Sequence, residues 1–498
     1  MPIHTLFVSL RQLIIKVVMK IIGRKHEQDE LMARYHSSNS EFVAIYGRRR
    51  VGKTYLVNCT FKEQYAFKHT GLSPFDDGRR ITMSDQLQAF HYSLLRFGQS
   101  EEVPAPKNWL EAFFRLENLL SSKADGTKQV VFIDELPWMD TPRSKFVTAF
   151  EGFYNNWASE RDDILLIICG SSSSWILKNI VNNQGGLYDR LTCQMKLTPF
   201  TLKETEGYFR SKGIDLERYD IVRAYMAFGG VPYYLGYVKP GMSIEQSIDD
   251  AFFKENASLG GEFKRLFNTL FTNSDKYINI VRFLAKRNYG FTREDISKAT
   301  RITAGGGLSD YLERLTEADF VEQYRPAMST SKEDYYRLKD CFCIFWLRFV
   351  DGVSGLDPHY WQNNHESNRT VSWHGIAFEQ ICMSHLESIR RALGISGINT
   401  ISSKMIIPSE KAGDGGQLDL VIERSDRQVN LCEMKFYSSE VSIDQKESLK
   451  LRNRKDAFRE KFKVKGTIFL TLVTTFGLKY GTWSGVYQQV LTLDDLFL

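Results

Sequence analysis

Residues 47–54 read Gly-Arg-Arg-Arg-Val-Gly-Lys-Thr, and this stretch decides how the first part of the chain is interpreted. An apolar run over residues 42–46 precedes it and apolar residues follow from Tyr55, so a strand leads into the loop and a helix leaves it. Glycines let backbone N–H groups curl around phosphate oxygens, the lysine reaches the β- and γ-phosphates, and the hydroxyl is a ligand for Mg²⁺. The stretch therefore predicts a phosphate-binding loop (P-loop) for ATP and Mg²⁺. The residues expected at the nucleotide are Gly47, Arg48, Arg49, Arg50, Val51, Gly52, Lys53, Thr54 and Tyr55, with Lys53 also catalytic.

Two carboxylates follow the next clear apolar run. Residues 130–133 read as a buried strand, and Asp134 and Glu135 come directly after it. Nucleotide hydrolysis needs one carboxylate for the metal ion and another that polarises the attacking water. We therefore expect Asp134 to hold Mg²⁺ together with Thr54, and Glu135 to act as the general base. A solvated acidic turn is the structural alternative.

A third apolar run, residues 164–169, ends in a loop rich in serine. A polar side chain at that strand end can sense the γ-phosphate, and we assign this role to Ser171, with an ordinary loop serine as the alternative. Arg190 can neutralise transition-state charge as an arginine finger supplied by a neighbouring subunit. That role implies a homo-oligomer, and a simple surface arginine is the alternative.

Strand and helix patterns alternate from residue 41 to about residue 200, which is typical of a parallel sheet flanked by helices. We predict an α/β P-loop ATPase core over residues 20–200. From residue 201 to 270 the pattern becomes helical, with helices over 202–209 and 223–228 before a Gly-Gly-Val-Pro break. This segment is predicted to be a helical lid.

Residues 277–325 read as three helices followed by a strand. Four apolar residues have the spacing of a small helix-turn-helix core: Ile296, Leu308, Leu312 and Leu315. The strand would be a wing, so we predict a winged helix with its connecting helix over residues 271–351. Four basic side chains could reach DNA phosphates: Arg293, Lys298, Arg301 and Arg314. Use of this segment only for packing between domains is the alternative.

A set of acidic and basic residues occurs in the last part of the chain. Asp419 lies in one strand-like run, and Glu433 and Lys435 lie in the next, where the alternation of a strand puts both on one face. Carboxylates at neighbouring strand ends can hold Mg²⁺, and a lysine can position the attacking water. Glu379, on a preceding helix, adds a further carboxylate. We predict a metal site at Glu379, Asp419 and Glu433 with Lys435 as a catalytic residue; a nucleic-acid-binding relic and a charged sheet edge are the alternatives.

The composition is that of a globular protein. The chain has 498 residues, of which 43% are hydrophobic and 25% charged, so disordered, collagen-like and coiled-coil classes are excluded. This length predicts about three domains. The excess of 65 Lys and Arg over 60 Asp and Glu permits a nucleic-acid surface without demanding one. Seven cysteines without a Cys-x-x-Cys pair favour a reducing cytoplasm and argue against structural zinc.

The N-terminal stretch over residues 6–22 is apolar, but Arg11, Lys16 and Lys20 interrupt it and no small-residue cleavage site follows. We therefore expect no membrane span and a cytoplasmic location. A signal peptide and an amphipathic surface helix are alternatives, and so is a natural start at Met19.

These motifs together resemble the AAA-like ATPase family first catalogued in archaea. The resemblance rests on residues 42–54, on Ile-Asp-Glu-Leu-Pro-Trp at 133–138 and on Gly-Ser-Ser-Ser-Ser-Trp at 170–175, and it continues through 230–235, 336–342 and 345–349. It implies an ATPase core, a winged helix and a nuclease-like C-terminal domain. It also implies that Ile22, Gly23 and Arg24 pack beside the adenine.

Residues 370–498 resemble the PD-(D/E)XK nucleases, which have a restriction-endonuclease-like α/β fold. The carboxylates and lysine of the motif match Asp419, Glu433 and Lys435, whereas Leu418 stands in place of the proline. The leading hypothesis is an ATP-driven switch or motor that acts on DNA, with a Mg²⁺-dependent nuclease at its C-terminal end. The alternatives are a signalling ATPase that binds protein or nucleic acid without cleavage, and transcription regulation through the winged helix alone.

Overall fold

The computed structural model describes residues 21–62, 64–76, 78–329, 332–352, 357–407 and 416–498. The chain divides into two compact units. The first comprises residues up to 46, 52–170 and 175–197, and the second comprises 47–51, 171–174 and 198–498. Most of the apolar stretch over residues 6–22 lies outside the described residues. Among those that are described, none of the helices has the length and apolar character that a bilayer crossing demands.

A five-stranded parallel sheet forms the centre of the first unit. Its strands lie in the order β2, β5, β6, β1, β7: β1 (Glu41–Tyr46), β2 (Phe67–Thr70), β5 (Gln129–Asp134), β6 (Ile164–Gly170) and β7 (Cys193–Lys196). A separate hairpin pairs β3 (Phe75–Asp76) with β4 (Arg79–Arg80). Every residue of β1, β5 and β6 is buried, as expected for parallel strands with both faces covered. The predicted parallel α/β sheet is confirmed, and each of its three predicted strands is found.

Helices cover this sheet. They are α1 (Lys25–Tyr35), α2 (Lys53–Phe61), α3 (Met83–Arg96), α4 (Trp109–Ser122), α5 (Leu136–Met139) and α6 (Phe146–Asn156), with α7 (Ser173–Ile176) continuing as a π-helix over Leu177–Val181. The core against one face is aromatic, because Trp109, Phe113 and Phe146 pack on one another with ring centroids 4.9–6.0 Å apart. This packing fixes the sheet whose strand ends carry the candidate ATP-binding residues.

The second unit begins with helices. They are α8 (Leu202–Ser211), α9 (Arg218–Phe228), α10 (Pro232–Leu235), α11 (Ile244–Ile248) with a π-turn over Asp249–Phe253, and α12 (Glu262–Leu270). Thr201 caps α8 through a capping box with Glu204, which satisfies N–H groups that a helix start leaves unpaired. The two helices predicted over 202–209 and 223–228 are thus present, and both extend further than predicted.

Three helices and a small antiparallel sheet follow. The helices are α13 (Ser274–Leu284), α14 (Arg293–Thr300) and α15 (Gly306–Glu317), and the strands are β8 (Phe291–Thr292), β9 (Val321–Tyr324) and β10 (Tyr335–Leu338), with β10 in the middle. The four predicted core residues, Ile296, Leu308, Leu312 and Leu315, are all buried. Only one strand was expected here, because β8 has only two residues, too few for an alternating pattern, and β10 lies beyond the 277–325 segment in which the strand was predicted.

The last part of the chain is an α/β segment within the same unit. Its helices are α16 (Cys341–Phe349), α17 (Tyr360–Asn364), α18 (Asn368–Ser384), α19 (Leu386–Ala392), α20 (Gln445–Phe462) and α21 (Leu493–Leu496). Its sheet has five strands in sequence order: β11 (Thr400–Ile407), β12 (Gly416–Arg424), β13 (Val429–Lys435), β14 (Ile468–Thr474) and β15 (Gln489–Leu491). β11 to β13 are antiparallel neighbours, whereas β13, β14 and β15 run parallel. One continuous apolar core runs from Phe200 to Phe497 through the second unit.

Candidate functional site

The predicted P-loop joins β1 to α2. Its backbone takes positive φ angles at Gly47 (138°), Arg50 (72°) and Gly52 (95°). A side chain at residue 52 would be strained in this left-handed conformation, which explains the glycine before the helix start. Lys53 is the first residue of α2 and is buried. The N-terminus of a helix reached through such a loop presents N–H groups to an anion, as the motif predicted.

Thr54 and Asp134 meet in the first unit. The Thr54 hydroxyl donates a hydrogen bond to Oδ2 of Asp134 at 2.7 Å, and Oδ1 of Asp134 accepts from the Glu135 N–H at 3.0 Å. Burial raises the pKa of Asp134, the Thr54 hydrogen bond lowers it, and the nearby charges of Glu135 and Lys53 act in opposite directions. A hydroxyl beside a buried carboxylate is a pair of hard oxygen donors, which suits Mg²⁺.

Glu135 has an unusual backbone. Its φ angle is 47°, in the left-handed region, immediately before the short helix α5 that begins with Leu136 and Pro137. This conformation costs energy in a residue other than glycine, and such strain occurs often at functional positions. The chain turns sharply here directly after β5, so Glu135 lies at the strand end beside Asp134.

The other predicted nucleotide residues lie at separate positions. Ser171 follows β6 directly and is buried, whereas Arg190 is exposed after a turn closed by its own N–H to the Leu187 carbonyl at 3.2 Å. Gly23 and Arg24 both have positive φ angles immediately before α1, and the buried Arg24 forms an ion pair with Glu27 at 3.4 Å. The assigned roles of these residues, and that of the half-buried Ile22, stay predictions.

Two arginines within the P-loop motif have acidic partners that sequence reasoning missed. In the second unit Arg48, which is fully buried, forms an ion pair with Asp340, and Arg50 forms one with Glu262. Arg50 also lies over the Tyr233 ring, 4.1 Å from its centroid. Because both side chains contact carboxylates, we expect these residues to bind a nucleotide through their backbone N–H groups. Residues 336–342, which belong to the family resemblance, include Asp340, but nothing in the sequence linked it to Arg48.

Asp419 and Glu433 lie across from each other in the C-terminal sheet. β12 and β13 are antiparallel with Leu420 opposite Cys432, and continuing this register pairs Asp419 with Glu433. Oδ2 of Asp419 accepts a hydrogen bond from the Met434 N–H at 2.9 Å. Burial and the Asp419 charge raise the pKa of Glu433 to about 7, against the lowering effect of Arg454. Two buried carboxylates in direct proximity disfavour each other's charge unless a cation joins them.

Lys435 completes the predicted Glu-x-Lys pair. Its Nζ lies 3.8 Å from Oε2 of Glu433. Burial lowers the pKa of Lys435, but the charges of Glu433 and Asp419 outweigh burial, so the net shift is upward. The alternation predicted from the sequence is therefore realised, with the ammonium group and the carboxylate on one face of β13.

Cationic and amide side chains that sequence reasoning missed already contact these carboxylates. Arg454, on α20, forms an ion pair with Glu433. Glu379 accepts from Lys404 Nζ at 2.5 Å, from Asn288 Nδ2 at 2.8 Å and from Gln417 Nε2 at 3.3 Å. The available signal for Lys404 was a basic residue directly before the apolar residues Met405, Ile406 and Ile407 of β11.

The predicted metal ligands do not form a ready cation site. Within the part of the chain that the structure describes, no three His, Cys, Asp or Glu side chains are grouped so that they could hold one metal ion. Asp419 and Glu433 fit as a pair of oxygen donors, whereas Glu379 is engaged by Lys404, Asn288 and Gln417. A cation held by all three would require the Lys404 and Arg454 contacts to open.

The chain is similar in sequence or structure to several known proteins. An uncharacterized protein of Methanocaldococcus jannaschii is 24% identical over 428 residues, which cover 83% of this chain and 87% of that protein. A Walker-type ATPase of Pyrococcus abyssi is similar in structure with a TM-score of 0.48 and 18% identity, covering 66% of this chain and 96% of that one. The ORC2 protein of Aeropyrum pernix, solved in ADPNP–ADP complexes, gives a TM-score of 0.40 and 13% identity, covering 67% and 96%. Residues 22–238 match the family model described as an ATPase domain predominantly from Archaea.

Proposed function

We propose that this chain binds Mg²⁺-ATP at residues 47–54 and hydrolyses it. The observation that carries the proposal is the hydrogen bond from Thr54 to the buried Asp134. It joins the hydroxyl of the P-loop to the carboxylate at the end of the neighbouring β5, beside the buried Lys53. The family match over residues 22–238 supports the same activity.

Each residue has a distinct task in this proposal. Lys53 binds the β- and γ-phosphate oxygens, and Thr54 and Asp134 hold the metal ion. Glu135 accepts a proton from the water that attacks the γ-phosphorus, and the bond from phosphorus to the β,γ-bridging oxygen breaks to release ADP and phosphate. Bound Mg²⁺ supplies positive charge that neutralises the phosphate oxygens. Ser171 as γ-phosphate sensor and Arg190 as arginine finger from a second copy are further parts of the proposal.

Calorimetric titration with Mg²⁺-ATP tests the binding half of this proposal. Lys53→Ala should weaken binding by roughly 10-fold to 100-fold, because a charge-assisted hydrogen bond to phosphate contributes about 1.5–3 kcal/mol. Lys107→Ala, which removes an exposed lysine from the same unit, is the matched control and should bind ATP as the wild type does. Equal affinity of wild type and Lys53→Ala would contradict the assignment.

We further propose that the ATP-dependent step acts on DNA, and that residues 370–498 are a Mg²⁺-dependent nuclease domain. The facing pair Asp419 and Glu433, with Lys435 at 3.8 Å from Glu433, supports the nuclease assignment. The three helices and antiparallel sheet over residues 274–338 support a winged helix within the 271–351 segment. The lid over 201–270 and the core over 20–200 complete the proposed domain organisation, in a protein we place in the cytoplasm.

Cleavage of supercoiled and branched DNA, with and without ATP, tests the nuclease assignment. Lys435→Ala should reduce Mg²⁺-dependent cleavage by at least 100-fold, since the proposed lysine positions the attacking water. Lys203→Ala is the control, because Lys203 is an exposed lysine of α8 in the same unit. Cleavage that persists in Lys435→Ala would exclude this site as its source.

A non-cleaving regulatory ATPase is the second candidate. Two ion pairs, Arg454–Glu433 and Lys404–Glu379, favour this second function. In both, a basic side chain contacts a carboxylate that a nuclease would use to bind its metal ion. In that case Mg²⁺ produces no DNA cleavage by the wild type, while ATP binding at Lys53 is unchanged. The same cleavage assay separates the two functions.

A further inference from the structure

Two loops of the C-terminal sheet emerge side by side. β13 and β14 are parallel, with Lys435 opposite Thr474, so the residues that follow both strands lie at one edge of the sheet. Backbone hydrogen bonds join the loops: the Val441 N–H donates to the Gly477 carbonyl at 2.9 Å and the Lys479 N–H donates to the Val441 carbonyl at 2.8 Å. The loops are therefore a defined surface next to Lys435.

Exposed aromatic side chains occupy this edge. Tyr437, two residues after Lys435, is 50% exposed, and Tyr480 is 93% exposed. Phe476, in the second loop, packs on Tyr219 with ring centroids 5.5 Å apart, which anchors that loop. Two tyrosine rings thus remain exposed on joined loops, and Tyr437 follows Glu433 by four residues.

The helix that follows the first loop carries two exposed lysines. α20 begins ten residues after Lys435, and its first turns carry the exposed Lys446 and Lys450. Among the described residues, no carboxylate forms an ion pair with either lysine, although Arg454 on the same helix pairs with Glu433. Lys450 is near enough to Glu433 to act on its carboxylate electrostatically.

The helix α20, which begins after the first loop, is strongly basic. Residues 445–465, which are α20 and the three residues after it, contain nine Lys and Arg against three Asp and Glu, an excess of six, whereas the whole chain has a net charge of only +5. The remainder of the chain is therefore slightly acidic. A basic helix that follows a loop with an exposed aromatic ring is typical of surfaces that bind a polyanion carrying flat groups.

We propose that this surface, the tyrosine–lysine edge formed by Tyr437, Lys446, Lys450, Lys479 and Tyr480, binds single-stranded nucleic acid. The tyrosine rings stack on bases, and the three lysines contact the backbone phosphates. In a duplex the bases are already stacked on one another, so only unpaired bases can stack on both tyrosine rings. The inference rests on the proposed nucleic-acid function and adds its substrate class: a strand held here presents a phosphodiester to the Asp419–Glu433 pair.

Fluorescence anisotropy with labelled 20-mers tests the stacking role. The full-length wild type should bind oligo-dT at least 10-fold more tightly than a 20-base-pair duplex. Stacking contributes a factor of roughly 5 to 150 per base, so Tyr437→Ala/Tyr480→Ala should weaken oligo-dT binding by 25-fold or more. Tyr437→Phe/Tyr480→Phe keeps both rings and should bind within about 2-fold of the wild type. An oligo-U arm distinguishes RNA from DNA as the preferred strand.

The salt dependence of the same binding tests the lysines. Each phosphate contact contributes a slope of about 0.7 in log affinity against log salt for a single strand, so Lys446→Gln/Lys450→Gln should reduce the slope by about 1.4. Lys107→Gln/Lys203→Gln removes two exposed lysines outside this surface as a comparison and should leave oligo-dT binding unchanged.

Several results would overturn this inference. The first is an oligo-dT affinity of Tyr437→Ala/Tyr480→Ala equal to that of the wild type. The second is a loss of oligo-dT affinity in the double phenylalanine variant as large as that in the double alanine variant. The third is a duplex that binds as tightly as oligo-dT. Duplex binding or cleavage that is abolished by Arg293→Gln/Lys298→Gln in α14, and not by the tyrosine or lysine variants, would refute the tyrosine–lysine edge while leaving the proposed DNA function intact. A wild type that binds no nucleic acid would refute both, and ATP binding would still be judged separately through Lys53→Ala.

Discussion

The hydroxyl of Thr54 lies 2.7 Å from Oδ2 of Asp134, although the two residues are 80 positions apart in the chain. The contact connects the start of α2 with the end of β5. It is possible because β1 and β5 both run parallel to β6, so their carboxyl ends share one edge of the sheet. A parallel sheet thus places a hydroxyl and a buried carboxylate where one metal ion can contact both.

Asp134→Asn should lower ATP hydrolysis and raise the Mg²⁺ concentration that it requires. The amide keeps the size of the side chain but loses the charge that binds Mg²⁺, so we expect ATP hydrolysis to fall at least 100-fold and the Mg²⁺ concentration for half-maximal activity to rise. A titration of activity with Mg²⁺ measures both effects. Asp162→Asn, an exposed aspartate of the same unit, is the control. An unchanged Mg²⁺ requirement would exclude Asp134 as a ligand.

Glu135→Gln should leave binding intact and stop turnover. Loss of the general base is expected to lower kcat by about 10²–10⁴-fold, while the Kd for ATP changes by less than about 3-fold, since this carboxylate acts on water and not on the nucleotide. Single-turnover hydrolysis and equilibrium binding on the same preparation test the split. If kcat falls and the Kd for ATP rises as well, Glu135 has a structural role at its strained φ angle instead.

The Arg48–Asp340 ion pair should matter for stability. Arg48 is fully buried, and Asp340 also accepts from the Cys343 N–H at 2.8 Å at the start of α16. Asp340→Asn keeps that cap but removes the charge that pairs with the buried Arg48, which should cost about 3–5 kcal/mol. In Arg48→Met/Asp340→Asn the buried arginine charge is gone as well, and we expect most of that loss to be recovered. Differential scanning calorimetry measures the shift, and no recovery would show that the ion pair is not the cause.

Local patterns in the sequence were sufficient for the parallel sheet, the P-loop and the Asp134–Glu135 pair, because all three depend on short-range spacing and strand order. These local patterns could not identify contacts between residues that are distant in sequence and meet only in the folded chain. Arg48 belongs to a motif that suggests phosphate binding, and only the fold shows that its side chain is paired with Asp340. Lys404 was missed because β11 carries a register shift between Ser403 and Met405, which the simple alternation of a strand does not reveal.

A buried histidine predicts acid sensitivity in the first unit. His69, in β2, has its Nδ1 2.9 Å from the Ser93 hydroxyl, and burial lowers its pKa from 6.5 to about 3. The unfolded chain therefore takes up a proton between pH 6.5 and pH 3 that the folded chain does not, and this group costs stability as the pH falls through that window. The slope for one proton is about 1.4 kcal/mol per pH unit.

Replacing His69 should reduce that dependence. His69→Gln is expected to show a shallower decline in unfolding free energy between pH 6.5 and pH 4, whereas His26→Gln, at an exposed position of α1, should follow the wild type. Denaturant unfolding at a series of pH values provides the comparison. Identical pH profiles for wild type and His69→Gln would show that another group carries the acid sensitivity.

Steady-state release of phosphate from ATP is the measurement that tests the central claim most directly. The wild type should hydrolyse ATP with Mg²⁺ and not after chelation with EDTA, and Lys53→Ala should lose at least 100-fold of that activity while Lys107→Ala keeps it. Turnover in Lys53→Ala equal to that of the wild type, or no turnover by the wild type with Mg²⁺, would contradict the assignment of residues 47–54 and the Asp134–Glu135 pair as an ATP-hydrolysing site.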